Sequence, residues 1–210
     1  MKTVVLLIMI GLTSLNCSNV AAQQLDTFSN LEEAKQHALQ VKKLSLNNYT
    51  GTLPADWDTL FPNLETLSLQ NDNLKEIPAG IARLKKLRVL NLSGNPIQRI
   101  PESLAQLTSL EELHLSNDAQ LNLPQSLSVL AKLPKLKALH LENDGIVKLP
   151  GELFNLKQLE SLYLNNNQLP EIPSQLKGLP HLQYLEIRNN KINPDLIDTR
   201  NLNFGFKIQL

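Results

Sequence analysis

Leucines and their aliphatic substitutes recur along this chain in the phrase L-x-x-L-x-L, starting at Val41, Leu64, Leu87, Leu110, Leu136, Leu159 and Leu182. Five of the six intervals are 23 residues and one is 26. A fixed period of this size predicts a solenoid, in which each unit buries its apolar edge only against its neighbours. In the third unit Leu90 and Leu92 are two apart, so on a strand both point into the core, while Val89, Asn91 and Ser93 point to solvent. After Asn95 the apolar spacing widens to three at Ile97 and Ile100, and is three again from Leu104 to Leu107 to Leu110. That switch predicts a short strand, a turn, then a tight helical or extended return. Pro101 opens the return, where a missing backbone N–H costs little. Pro78, Pro124, Pro150 and Pro173 occupy the same frame.

The frame L-x-x-L-x-L-x-x-N-x-L-x-x-L-P-x-x-L-x-x-L-x-x resembles the leucine-rich repeat family. It is most similar to the 23-residue, L-P-containing subclass of Ras-group and exported bacterial leucine-rich-repeat proteins. The resemblance implies an α/β solenoid, a horseshoe with a concave parallel β-sheet, an N-terminal helical cap and a C-terminal strand-like cap. It also implies that the Asn at the ninth position ties down the backbone of the turn. Asn95, Asn167 and Asn190 stand there, but Asp72, Asp118 and Asp144 replace it in three units and Tyr49 in the first. An ionised Asp accepts hydrogen bonds and donates none, so half of the Asn role is lost. Asn71, Asn117 and Asn143, one residue earlier, are expected to help cap the turn. The row lacks the dense alternating carboxylates of calcium loops.

Four segments follow: a signal peptide over 1–22, an N-terminal capping helix segment over 23–40, seven repeats over 41–192 and a C-terminal cap over 193–210. Ser29 to Leu39 opens with N-cap residues and acidic first-turn residues, and Leu31, Ala34, Ala38 and Val41 have helical spacing. His37 is expected to be solvated on this helix. The fourth unit carries three extra residues between Pro124 and Leu136, where Leu127, Leu130 and Leu133 continue the period of three; the insertion should leave the strand ladder intact. Leu121 is expected to pack in place of Gln120, and Trp57 to lie in the core. Phe204, Phe206, Ile208 and Leu210 alternate as a strand, which reads as a cap, with a sticky edge for assembly as the lesser alternative.

Lys2, the apolar stretch Val4 to Leu12 and the small residues Val20-Ala21-Ala22 read as a cleavable export signal, too short to span a membrane. A mature chain from Gln23 would hold no cysteine, which suits an oxidising compartment without disulfides. A lipid anchor on Cys17 is the rival reading, but Ser14-Leu15-Asn16 fits a lipoprotein signal poorly. Twenty basic and twenty acidic residues balance, so no electrostatic drive toward nucleic acid is expected. Asn48 and Asn91 head N-glycosylation triplets on the predicted concave face.

The repeats and their flanks leave no room for an appended catalytic domain, and no serine has a His–Asp partner set, so no enzyme activity and no cofactor are expected. The strand alternation instead predicts three outward columns. The central one runs Ser45, Ser68, Asn91, His114, His140, Tyr163, Glu186; beside it lie Lys43, Thr66, Val89, Glu112, Ala138, Ser161, Tyr184 and, on the other side, Asn47, Gln70, Ser93, Ser116, Glu142, Asn165, Arg188. His114 and His140 should then sit on adjacent strands about 5 Å apart, flanked by Glu112 and Glu142. Two imidazoles and two carboxylates are enough ligands for zinc. A shallow sheet surface, however, is expected to give poor outer support and no dry pocket, so no metal is expected and the patch reads as pH-sensitive surface. Tyr and Arg often dominate interface energies, which makes Tyr163, Tyr184 and Arg188 the expected anchors, beside His114, His140, Glu112, Glu142 and Glu186. The sequence therefore predicts an exported, monomeric, protein- or peptide-binding module, with envelope assembly or glycan binding as alternatives.

Overall fold

The structure, a computed structural model, describes residues 26–193 and 205–209. The export signal, Cys17, Phe204 and Leu210 lie outside the described residues. Seven strands fall one to a repeat: β2 (Lys43–Ser45), β3 (Thr66–Ser68), β4 (Val89–Asn91), β5 (Glu112–His114), β6 (Ala138–His140), β7 (Ser161–Tyr163) and β8 (Tyr184–Glu186). Two more extend the row, β1 (Thr27–Phe28) before it and β9 (Lys207–Gln209) after it. All neighbours pair in parallel and in chain order, forming one open sheet. The alternation near the end of the chain predicted β9; nothing in the pattern foresaw β1.

Period two decides the core. Leu44, Leu67, Leu90, Leu113, Leu139, Leu162 and Leu185 stand in register across the strands. They and the residues two further on, Leu46, Leu69, Leu92, Leu115, Leu141, Leu164 and Ile187, are all buried. Trp57 is fully buried against Phe61, as its place in the frame predicts.

The returns are mostly 3-10 turns, each opened by its proline: Ala79–Arg83 after Pro78, Glu102–Gln106 after Pro101, Gly151–Asn155 after Pro150 and Ser174–Gly178 after Pro173. The fourth return differs. Its three extra residues make room for an eight-residue α-helix, Leu123–Leu130, in place of the expected period of three. Leu123, Leu127 and Leu130 have helical spacing, Asn122 Oδ1 accepts from Gln125 N at 3.2 Å, and Ala131 N donates to Leu127 O at 2.9 Å. The sheet passes this bulge unbroken, since Glu112, Leu113 and His114 pair with Ala138, Leu139 and His140. Leu121 is half-buried against the core and Gln120 exposed.

At the start, a helix spans Leu31–Gln36, with Asn30 Oδ1 accepting from Glu32 N and Glu33 N. It ends three residues before Leu39, where the segment read as helix from the sequence closes. Leu31 and Ala34 are buried in the common interior. His37 is not simply solvated; its ring stacks on Phe28 at 5.7 Å.

Two columns in the turns after the strands join the coils. At the eighth position Asn48, Asn71, Gly94, Asn117, Asn143, Asn166 and Asn189 all have φ between 55° and 71°. Glycine adopts this left-handed region freely and Asn better than other residues. These Asn residues thus hold the turn by their own backbone shape, and their N–H groups donate across to the next coil, as from Asn71 to Ser93 O and Asn143 to Asn165 O. The ninth position supplies the second column. Asn95 Oδ1 accepts from Asp72 N and Leu74 N of the preceding coil, while its Nδ2 donates to Leu69 O and Leu92 O. Asn167 and Asn190 repeat this pattern.

The aspartates keep only the accepting half. Asp72 Oδ1 takes Tyr49 N at 2.7 Å and Asp144 Oδ1 takes Asp118 N at 2.8 Å. Their second oxygens are buried with no hydrogen-bond partner among the described residues. Asp118 escapes this, because its two oxygens accept from Ile97 N and Gln120 N. Burial pushes the Asp144 carboxyl up to about 7 and raises those of Asp72 and Asp118.

Two predictions follow from this interior. The folded chain holds the Asp144 proton up to about pH 7, whereas an unfolded Asp releases it near about 3.9. The folded state therefore binds more protons within that window, and stability falls as pH rises through it. Asp144→Asn restores a donor without a charge; it should flatten this loss and stabilise the protein at pH 8 by about 1–3 kcal/mol, read from thermal melts across pH. Leu113→Ala should cost about 2–5 kcal/mol, while Val147→Ala, at an exposed position, should stay within about 0.5 kcal/mol, both read by denaturant titration.

Candidate functional site

Every residue of the expected patch lies on or just after a strand of the outer sheet face. The register sets His114 opposite His140, His140 opposite Tyr163 and Tyr163 opposite Glu186. Glu112 and Tyr184 belong to the neighbouring column, opposite Ala138 and Ser161 respectively. The strands are three residues long because the turn begins directly after them, and that places Glu142 and Arg188 at the rim of the face.

The columns are drawn together into a continuous row of rings. His114 and His140 stack with centroids 3.9 Å apart and planes 15° from parallel. Tyr163 stacks on the other face of His140 at 4.1 Å and 5°. Tyr184 leans in from the next column and meets Tyr163 at 5.5 Å, tilted by 51°.

Carboxylates bracket the imidazoles. Glu112 Oε1 lies 2.9 Å from His114 Nε2 and 3.1 Å from His140 Nε2. Glu142 Oε1 lies 3.3 Å from His140 Nδ1. Glu142 is fixed in turn by Ser116, whose Oγ donates to Oε2 and accepts from Glu142 N. Burial, then the charge of His140, holds the His114 ring below the usual imidazole range. For Glu142, burial works upward, yet hydrogen bonds from His140 and Ser116 win and hold its carboxyl low.

The C-terminal end of the patch is a second polar cluster. Arg188 reaches Glu186 at 3.6 Å, and the Tyr184 hydroxyl lies 3.4 Å from Glu186 and donates to Gln209. Lys207 Nζ stands 5.9 Å from the centre of the Tyr184 ring. Arg188 remains exposed and Tyr163, Tyr184 and Glu186 are half-buried. Thus the structure brings all eight expected residues onto one face, but in two groups: Glu112, His114, His140 and Glu142 in one, Tyr184, Glu186 and Arg188 in the other, joined by Tyr163.

Sequence reasoning missed Ser116 as the support of Glu142, and Lys207 and Gln209 as extensions of the two columns. Lys207 pairs with Tyr184 and Gln209 with Glu186. Alternation alone revealed that segment as a strand; its register had no signal. Of the two glycosylation triplets, Asn91 lies on the outer face as expected, with Oδ1 accepting from Ser93 N. Asn48 does not; it is an exposed turn residue with φ 60°, because the strand ends at Ser45.

Comparison with known proteins places this geometry. In solved structures, similar folds include an internalin C2 from Listeria monocytogenes, 26% identical with a TM-score of 0.63, covering 85% of this chain and 74% of that one. The ectodomain of the Arabidopsis receptor kinase HAESA, in complex with an extended IDA peptide hormone, is 29% identical with a TM-score of 0.55 over 77% of this chain and 28% of its own. A leucine-rich-repeat protein of Leptospira interrogans is 24% identical with a TM-score of 0.54, over 78% of this chain. This chain spans about half the length of that protein, 53%. No curated protein sequence matches significantly. A family profile described as leucine rich repeat matches residues 62–119 and 134–192, more than half of the chain. With the parallel sheet and the buried leucine columns, that match makes the chain a member of the leucine-rich repeat family.

Proposed function

We propose that the chain is an exported, non-catalytic recognition module that holds a protein or peptide against the outer, concave face of its sheet. Leucine-rich repeat proteins are generally protein-interaction modules, and the HAESA ectodomain is solved with a peptide hormone. The observation that carries the reading is the ring row from His114 to Tyr184 with Arg188 at its rim. These side chains take no part in the buried leucine columns, and a rigid ladder presents them at little ordering cost.

Export rests on the Lys2, Val4 to Leu12 and Val20-Ala21-Ala22 pattern, with Cys17 lipidation as the rival form. Among the described residues no helix is long and apolar enough to cross a membrane. Assembly through the terminal strand is the weaker reading, because β9 has three residues and begins with an exposed lysine; short, charged edges discourage strand pairing.

Affinity capture with the full chain as bait, followed by mass spectrometry, identifies the partner, and titration against that partner tests the face. Replacing Tyr163, Tyr184 and Arg188 together by Ala should weaken binding by well over tenfold, more than about 1.4 kcal/mol, with the melting temperature little changed. Undiminished affinity in the triple variant removes the claim that this face binds.

A further inference from the structure

A sheet surface is a poor metal site unless something behind the ligands orients them. Here that support exists, contrary to the expectation from sequence. Glu142 approaches His140 Nδ1 at 3.3 Å and is itself held by Ser116. A carboxylate on one ring nitrogen keeps the proton there and leaves the lone pair on the other. With Glu142 holding the Nδ1 side of His140, the Nε2 side faces Glu112 Oε1, 3.1 Å away, where His114 Nε2 also converges at 2.9 Å. The three ligand atoms of Glu112, His114 and His140 lie within 4.8 Å of one another. A proton shared between an imidazole nitrogen and a carboxylate oxygen holds such a pair together, and a divalent cation binding there takes the proton's place. The surroundings are partly dry, since the His140 and His114 side chains are only 14% and 25% exposed.

We propose that Glu112, His114 and His140 bind a divalent transition-metal ion of the zinc class, with Glu142 as the outer carboxylate that orients His140. Two imidazole nitrogens with one carboxylate oxygen suit zinc and its neighbours, whereas calcium and magnesium require oxygen ligands throughout. Three protein ligands leave the fourth position of a tetrahedral ion to solvent. Because the two rings stand nearly parallel, one must tilt for both nitrogens to reach the ion at about 2.0–2.1 Å. Loading therefore disturbs the stack that continues into Tyr163. The inference stands apart from partner binding, and its test uses no partner.

The test is calorimetric titration of the untagged full chain with zinc chloride, in a Cys17→Ser background that removes the one thiol. The expected result is one zinc per chain, with affinity reduced at least tenfold by His140→Ala, by His114→Ala and by the shape-preserving Glu112→Gln. Glu142→Ala supplies no ligand change, yet should weaken binding by about 10–100-fold, while circular dichroism melts of the metal-free variants stay close to the parent. Cobalt(II) in place of zinc should give the visible bands of a four-coordinate ion in the parent and lose them in His140→Ala. Absence of zinc uptake, or equal affinity in the parent, His140→Ala and Glu112→Gln, would overturn the proposal and leave the cluster sharing only a proton.

Discussion

Each coil of this chain completes its backbone hydrogen bonding through the coils on either side of it. N–H groups that open a strand donate to the coil before, as in Val89 N to Glu65 O, while those just after it and at the left-handed eighth position donate to the coil after, as in Leu69 N to Asn91 O and Asn71 N to Ser93 O. The ninth-position Asn95 Oδ1 accepts from Asp72 N of the coil before. Buried peptide groups left unpaired are costly, so coils cannot slide or rotate without breaking a whole set of these bonds. This constraint keeps the leucine columns aligned and the outer columns in register. The side chains that face solvent owe their spacing to it.

The repeat made most of the fold legible. A strict period of two over L-x-L settles which side chains go inward, and the step to period three marks where each strand must end. Trp57 and the two seven-residue aliphatic columns required nothing further. What stayed hidden was whatever depends on the chain far from the repeat or on geometry between repeats. β1 has only two residues and no alternation to advertise it. The fourth return became an α-helix because three added residues allow i-to-i−4 bonds, which a period of three does not announce. The eighth position is always Asn or Gly in the seven units, a signal visible in the sequence whose cause is a positive φ.

The candidate site divides the same way. Its membership followed from counting along the strands, and all eight residues share the outer face. Its internal pairing did not, because contact depends on how long side chains lean. Tyr184 crosses from its own column toward Tyr163, and Ser116 reaches Glu142 from the preceding coil. Environment then separates chemically similar groups. The Asp144 carboxyl, inside the turn column with one oxygen unpaired, is pushed up by burial; the Glu142 carboxyl, also partly buried, is held low because His140 and Ser116 both serve it.

The close stacking of His114, His140 and Tyr163 decides how this surface meets another molecule. Centroid spacings of 3.9 and 4.1 Å are shorter than the roughly 4.8 Å between neighbouring strands, so no gap remains between successive planes. The facing π surfaces of this stack, both faces of His140 among them, are already occupied, and what remains to meet a partner along it is chiefly a comb of ring edges. An approaching molecule thus meets ring edges, with the imidazole nitrogens and their carboxylates among them, rather than slots for insertion.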